Sequence, residues 1–170
     1  MTDAVPALRD AGRTVAAAES LTGGGVCVAL SEAAGSSEVF VGGVVTYAIS
    51  AKTDLLGVPA ALLAEVGPVH PAVAGEMARR VAALTGADIG VATPRVAGPE
   101  PHGGREPGFA LVGWWCAGRS GVVEVVASGD RAAVRATVVA VALEVVTVCA
   151  RHGAVRARDL TVAAEVTDRE

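Results

Sequence analysis

The stretch TVAAAESLTGGGVCVALSEAAG, residues 14–35, limits the folds open to this chain more than any other. A β-compatible run (13–18) passes through Glu19, Ser20, Thr22 and three glycines into a segment (23–35) with Val26, Ala29, Leu30 and Ala33 at helical spacing. Gly35 supplies the helix end. A strand handed directly to a glycine-opened helix is the building unit of α/β domains.

The chain is 52% hydrophobic but only 3% aromatic, so its core is built from Val, Ala and Leu. At 170 residues it suits one domain, enough to bury roughly two thirds of its unfolded surface. The net charge of −4, without a basic run, argues against a nucleic-acid surface and for a small-molecule partner. No uncharged apolar run approaches the ~20 residues that cross a bilayer, and MTDAVPALRD lacks the pattern of a secretory leader, so a cytoplasmic protein without a membrane partner is expected. Cys27, Cys116 and Cys149 lie in apolar runs and read as small hydrophobes. His70, His102 and His152 are scattered without metal-ligand spacing, so neither metal nor cofactor is expected.

Further along, residues 4–12 suggest a short helix and 38–49 a long Val-rich strand. Two short helices follow, divided by Pro59, and then a helix over 70–86 with Val73, Met77, Val81 and Leu84 as its apolar stripe. Residues 87–93 form a third strand, and 94–108 a Pro/Gly-rich loop too long for a simple connector. FALVGWWCA and VVEVVAS, separated by GRSG, read as an antiparallel hairpin. The longest helix covers 129–153 with Asp130 as N-cap, and residues 154–170 read as a loose charged tail outside a 1–153 domain. The pattern predicts a single-domain three-layer α/β/α sandwich with a mixed sheet. Ligands in such sheets favour the carboxyl ends of the strands, where 19–24 and 94–108 fall.

Hydroxyls and glycines at a helix start can cap the helix, or they can offer its N–H groups to a phosphate or carboxylate. Both readings of ESLTGG are open at this point. The fourteen basic residues comprise thirteen arginines and one lysine, Lys52, five residues after the only tyrosine, Tyr47. A lysine can be desolvated to a neutral base, whereas an arginine cannot. The alternative is a solvated lysine beside a half-buried tyrosine. Ser20 with a Lys or Tyr base and glycine N–H donors would make the parts of an amidase. Arg131 and Arg135 share a helix face, suited to an anion or to ordinary salt bridges.

Together, TVAAAESLTGG, AGSSEVFVGGVVTYAISAKTDLLGV, VAGPEPHGG and SGDRAAVRATVVAVAL resemble, in order, the C-terminal domain family of the competence/damage-inducible protein CinA. Stand-alone members of that family are nicotinamide-nucleotide amidases. The resemblance implies deamidation of nicotinamide mononucleotide to nicotinic acid mononucleotide and ammonia, within a homo-oligomer and without a metal. It puts Ser20 on the active-site serine, and Tyr47 and Lys52 on the partners that activate it. Glu19, Thr22, Gly23, Gly24, Gly98 and Arg131 fall on the ligand side, with Arg131 toward the phosphate.

Where the family has Ser/Thr-Gly before Ile-Ala-Gly-Pro, this chain has Pro94 and Arg95. Proline removes a backbone donor and arginine adds bulk and charge beside the pocket. Either Arg95 supplies a substitute phosphate contact, or the chain is an altered member that binds a nucleotide-like molecule or acts on a different one.

Overall fold

The computed structural model describes residues 3–94, 108–161 and 165–169. In chain order the elements are α1 (Ala4–Ala11), β1 (Val15–Glu19), α2 (Gly25–Ser31), β2 (Phe40–Val45), α3 (Ile49–Asp54), α4 (Ala60–Val66) and α5 (Pro71–Thr85). β3 (Ile89–Thr93), β4 (Phe109–Cys116), β5 (Arg119–Val126), α6 (Arg131–His152) and β6 (Glu165–Arg169) follow. The strands form one mixed sheet ordered β2-β1-β3-β4-β5-β6. β1 runs parallel to β2 and β3, and the pairs from β3 to β6 are antiparallel.

Helices cover both faces, giving the expected three layers. α1, α2 and α6 pack on one face, where Val15, Ala17, Val91, Val141 and Val145 are buried together. α5 covers the other, with Ala16, Ala18, Val73, Met77 and Val81 in its core. β1 is buried along its whole length, as befits a parallel strand sandwiched between helical layers.

With so few rings, close backbone approach replaces bulk. A Cβ on Gly90 would lie 1.9 Å from the Ala78 carbonyl oxygen, and one on Gly113 2.2 Å from that of Ala74. The backbone of α5 therefore rests directly on β3 and β4. Among the described residues α6 is the one helix long and apolar enough to cross a membrane, yet Val138, Val141, Ala142, Val145 and Val146 are all buried in the domain.

Several elements differ from the sequence reading. β2 covers six residues rather than 38–49, because Ser36–Glu38 is a 3₁₀ turn and Ile49 already opens α3. Leu84 is 59% exposed, so the stripe of α5 is Val73, Ala74, Met77, Ala78 and Val81. The hairpin turns at Ala117 and Gly118, both with positive φ, which leaves Arg119, Ser120 and Gly121 inside β5. Residues 165–169, expected in a loose tail, add edge strand β6 beside β5.

This packing makes opposite predictions for two glycines. Gly90→Ala drives a methyl into α5 backbone and should lower unfolding free energy by about 1–3 kcal/mol or more. Gly75→Ala, mid-helix with open space around it, should raise it by roughly 0.5–1 kcal/mol. Urea denaturation of both variants checks the pair.

Candidate active site

The parallel strands β2, β1 and β3 end side by side, with Glu19 opposite both Val45 and Thr93. Beyond β1 the chain turns sharply: the Ser20 and Leu21 N–H groups both donate to the Thr93 carbonyl, at 3.0 and 3.2 Å. Ser20 is thereby held, wholly buried, at the carboxyl edge of the sheet.

Lys52 reaches the same place from α3. Its Nζ donates to Ser20 Oγ at 3.1 Å and to the Thr46 carbonyl at 2.7 Å. Thr46 is itself fixed, since its N–H donates to the Glu19 carbonyl at 2.7 Å. The lysine is 1% exposed. Burial disfavours an ammonium, the condition under which an amine accepts a proton from a hydroxyl. Thus the lone lysine and Ser20 meet.

Glu19 does something the sequence left open. Its Oε2 accepts from Thr22 Oγ1 at 2.6 Å and from the N–H groups of Gly24 and Val26 at 2.9 and 3.1 Å. Its Oε1 accepts from the Cys27 N–H at 2.8 Å. The residue is fully buried. Glu19, expected on the ligand side, has its carboxylate turned inward, where it occupies the start of α2. Thr22 is likewise buried, and because its hydroxyl donates to Glu19, the 2.6 Å contact between Thr22 and Thr93 hydroxyls runs with Thr93 as donor. Gly23 is exposed, and among the described residues the N–H groups of Thr22 and Gly23 carry no hydrogen bond.

The rim is built by α6. Asp130 caps it, accepting from the Ala133 N–H at 2.9 Å, as expected. Arg131 donates to the Tyr47 hydroxyl at 2.8 Å, and Arg135 to the Thr22 carbonyl at 2.6 Å. Tyr47 is 44% exposed and stands on this rim with Arg131, while its neighbour Thr46 faces the buried lysine. Arg95, Gly98 and His102 lie outside the described residues; Pro94 is buried directly after Thr93. His70 is the N-cap of α5, its Nδ1 accepting from Ala72.

Sequence reasoning missed Thr46, Thr93 and the loop-pinning role of Arg135. The available signal was a threonine closing each of two Val/Ala-rich strands, where a purely apolar end would serve packing alone.

These features define a class: a three-layer α/β/α domain that holds a serine against a buried lysine at the carboxyl edge of a mixed sheet. The chain belongs to the CinA C-terminal domain family, whose model matches residues 1–150. A relative from Bacillus velezensis, carrying the competence-damage inducible name, is 42% identical over 129 residues, 76% of this chain and 31% of its own length. A CinA-like protein of Geobacter sulfurreducens is 41% identical over 138 residues, 80% of this chain and 33% of its own. The chain thus spans about a third of the length of these curated relatives. A crystal structure of a CinA superfamily protein from Klebsiella pneumoniae matches with a TM-score of 0.84 at 33% identity, over 89% of this chain and 95% of that one.

Two measurements follow. Glu19→Ala strands buried donors and should cost about 3 kcal/mol or more in denaturant unfolding. Burial, followed by the adjoining Glu19 carboxylate, pushes the Cys27 thiol up to about 12. A raised thiol pKa means the neutral form persists until the pH nears that value. At pH 8, iodoacetamide should therefore label Cys27 on the order of a thousandfold more slowly in folded than in unfolded protein, read by mass spectrometry.

Proposed function

We propose that this chain is a cytoplasmic serine amidohydrolase of the nicotinamide-nucleotide type, releasing ammonia from the carboxamide of nicotinamide mononucleotide. The observation that carries this reading is the 3.1 Å contact between Lys52 Nζ and Ser20 Oγ, both groups buried. With the amine neutral, its lone pair replaces one N–H toward Ser20, the hydroxyl becomes the donor across the same distance, and Lys52 takes the proton while Oγ attacks the carboxamide carbon. The resulting ammonium returns the proton to the departing nitrogen, and water then hydrolyses the acyl-serine. The unengaged N–H groups of Thr22 and Gly23 are the candidate donors to the oxyanion.

The phosphate falls to Arg131, paired with Tyr47 on the exposed rim, because Glu19 already fills the start of α2. Tyr47 in this reading serves the rim and, through it, the serine–lysine pair. A homo-oligomer is part of the proposal: Val28, Val41, Val45 and Ile49 are exposed on and beside edge strand β2.

A second reading, a family member that binds a nucleotide-like molecule without turning it over, is favoured by Pro94. This buried proline cannot donate a hydrogen bond at the end of β3.

The assay follows ammonia and nicotinic acid mononucleotide from nicotinamide mononucleotide. Ser20→Ala should reduce kcat/KM by on the order of a thousandfold or more. Lys52→Met should lose about 100- to 10,000-fold, and Lys52→Arg should not restore the rate, since arginine does not deprotonate. Full activity in Ser20→Ala refutes the amidase; binding without ammonia release supports the second reading.

A further inference from the structure

The end of the sheet remote from Ser20 holds a cavity of about 600 Å³. β4 runs antiparallel to β3, so Cys116 faces Ile89 at the start of β3, and the β4–β5 turn lies at the opposite edge from Glu19 and Thr93. α6 joins the two ends, with Arg131 and Arg135 on the Ser20 side and His152 at the cavity. Its 22 residues put roughly 30 Å between them.

The walls are rich in donors. Arg119 and Ser120 come from β5, His152 from α6, and Arg156 from the segment after it, with Asp159 beside them. Two arginines and one aspartate share the lining, and the aspartate carboxylate accepts the Arg156 backbone N–H at 3.0 Å. Neither Arg119 nor Arg156 forms an ion pair among the described residues. His152 stands in the last turn of α6. Arg119 and Arg156 lie outside that turn, Arg156 as the N-cap of the 3₁₀ turn Ala157–Asp159.

A second observation comes from the floor. Trp114 is 5% exposed and lines the cavity. A Cβ on Gly121 would sit 2.6, 2.8 and 2.9 Å from the indole Cζ2, Cε2 and Nε1, so the glycine opposite Trp114 leaves room for that edge of the ring. The indole N–H has no hydrogen-bond partner among the described residues and is not one of their buried, unsatisfied side-chain atoms, so it is open to solvent. The cavity thus presents a solvent-open indole N–H on a largely buried ring, together with two arginines that form no ion pair among the described residues, in a chain whose net charge is −4.

We propose that this cavity is a second ligand site, one that takes a phosphate monoester of mononucleotide size. Guanidinium forks match phosphate oxygens in pairs, and the indole N–H and Ser120 hydroxyl add single donors. The volume lies in the range of small-ligand pockets. The site is independent of the amidase reading, since none of its residues belongs to the Ser20 end.

The test follows the indole N–H resonances of the chain's two tryptophans in ¹⁵N-labelled full-length protein, titrated separately with inorganic phosphate, AMP and adenosine. AMP and phosphate should shift the Trp114 signal, assigned with Trp115→Phe, with a Kd of about 1 mM or below, and adenosine should not. Tighter binding of AMP than of phosphate extends the site to the nucleoside; equal binding assigns it to the phosphate group alone. Arg119→Glu with Arg156→Glu, both exposed, should weaken binding by about tenfold or more while circular dichroism stays native. Arg119→Ala is the milder companion, and Arg131→Ala, at the Ser20 end, should leave this titration unchanged. No saturable shift by about 10 mM, adenosine binding as well as AMP, or a double variant that titrates like the parent overturns the proposal.

Discussion

The buried carboxylate of Glu19 is the interaction on which the rest of the Ser20 end depends. Three backbone N–H groups and one hydroxyl converge on it, so the turn after β1, the start of α2 and the Thr22 hydroxyl share a single anchor. Thr93 joins through Thr22, tying β3 to the same centre. A carboxylate taken from water at this depth survives only when its lone pairs are met, and here they are met by the elements that must be held in register. Glu19 thereby acts through its main chain as well, since its carbonyl receives the Thr46 N–H and Thr46 in turn receives Lys52. One residue thus indexes the serine directly and the lysine at one remove.

That arrangement requires a sheet that does not shift beneath it. The chain obtains rigidity from proximity rather than from large side chains. Glycines at 90 and 113 let the α5 backbone settle onto β3 and β4, and alanines along β1 let helices approach from both sides. Interiors packed this closely transmit small displacements instead of absorbing them. The 3% aromatic content is therefore a statement about how near the layers lie.

Much of this was legible in the sequence, for identifiable reasons. Val/Ala runs alternating with glycine-ended apolar stripes gave the layers, and a solitary lysine among arginines singled out Lys52. Orientation was not legible. Glu19 sits beside a helix start, where a carboxylate that caps and one that meets a ligand have the same spacing; only the four donor distances separate them. Strand limits blurred for a related reason: VTYAI has β-forming side chains throughout, but the Thr46 N–H pairs with Glu19 and Ile49 joins α3. The last strand was hidden by its charges, because Glu165, Asp168 and Arg169 suit a sheet edge as well as they suit a tail.

The filled start of α2 has a consequence for selectivity. A helix opening left vacant attracts any passing oxyanion, and sulfate, phosphate and free carboxylates abound in a cell. By answering its own amides with an internal carboxylate, the chain closes that indiscriminate trap next to Ser20. In the proposed amidase, common salts would then meet Arg131 on the solvent-facing rim, where ions exchange quickly, rather than the helix opening beside the serine.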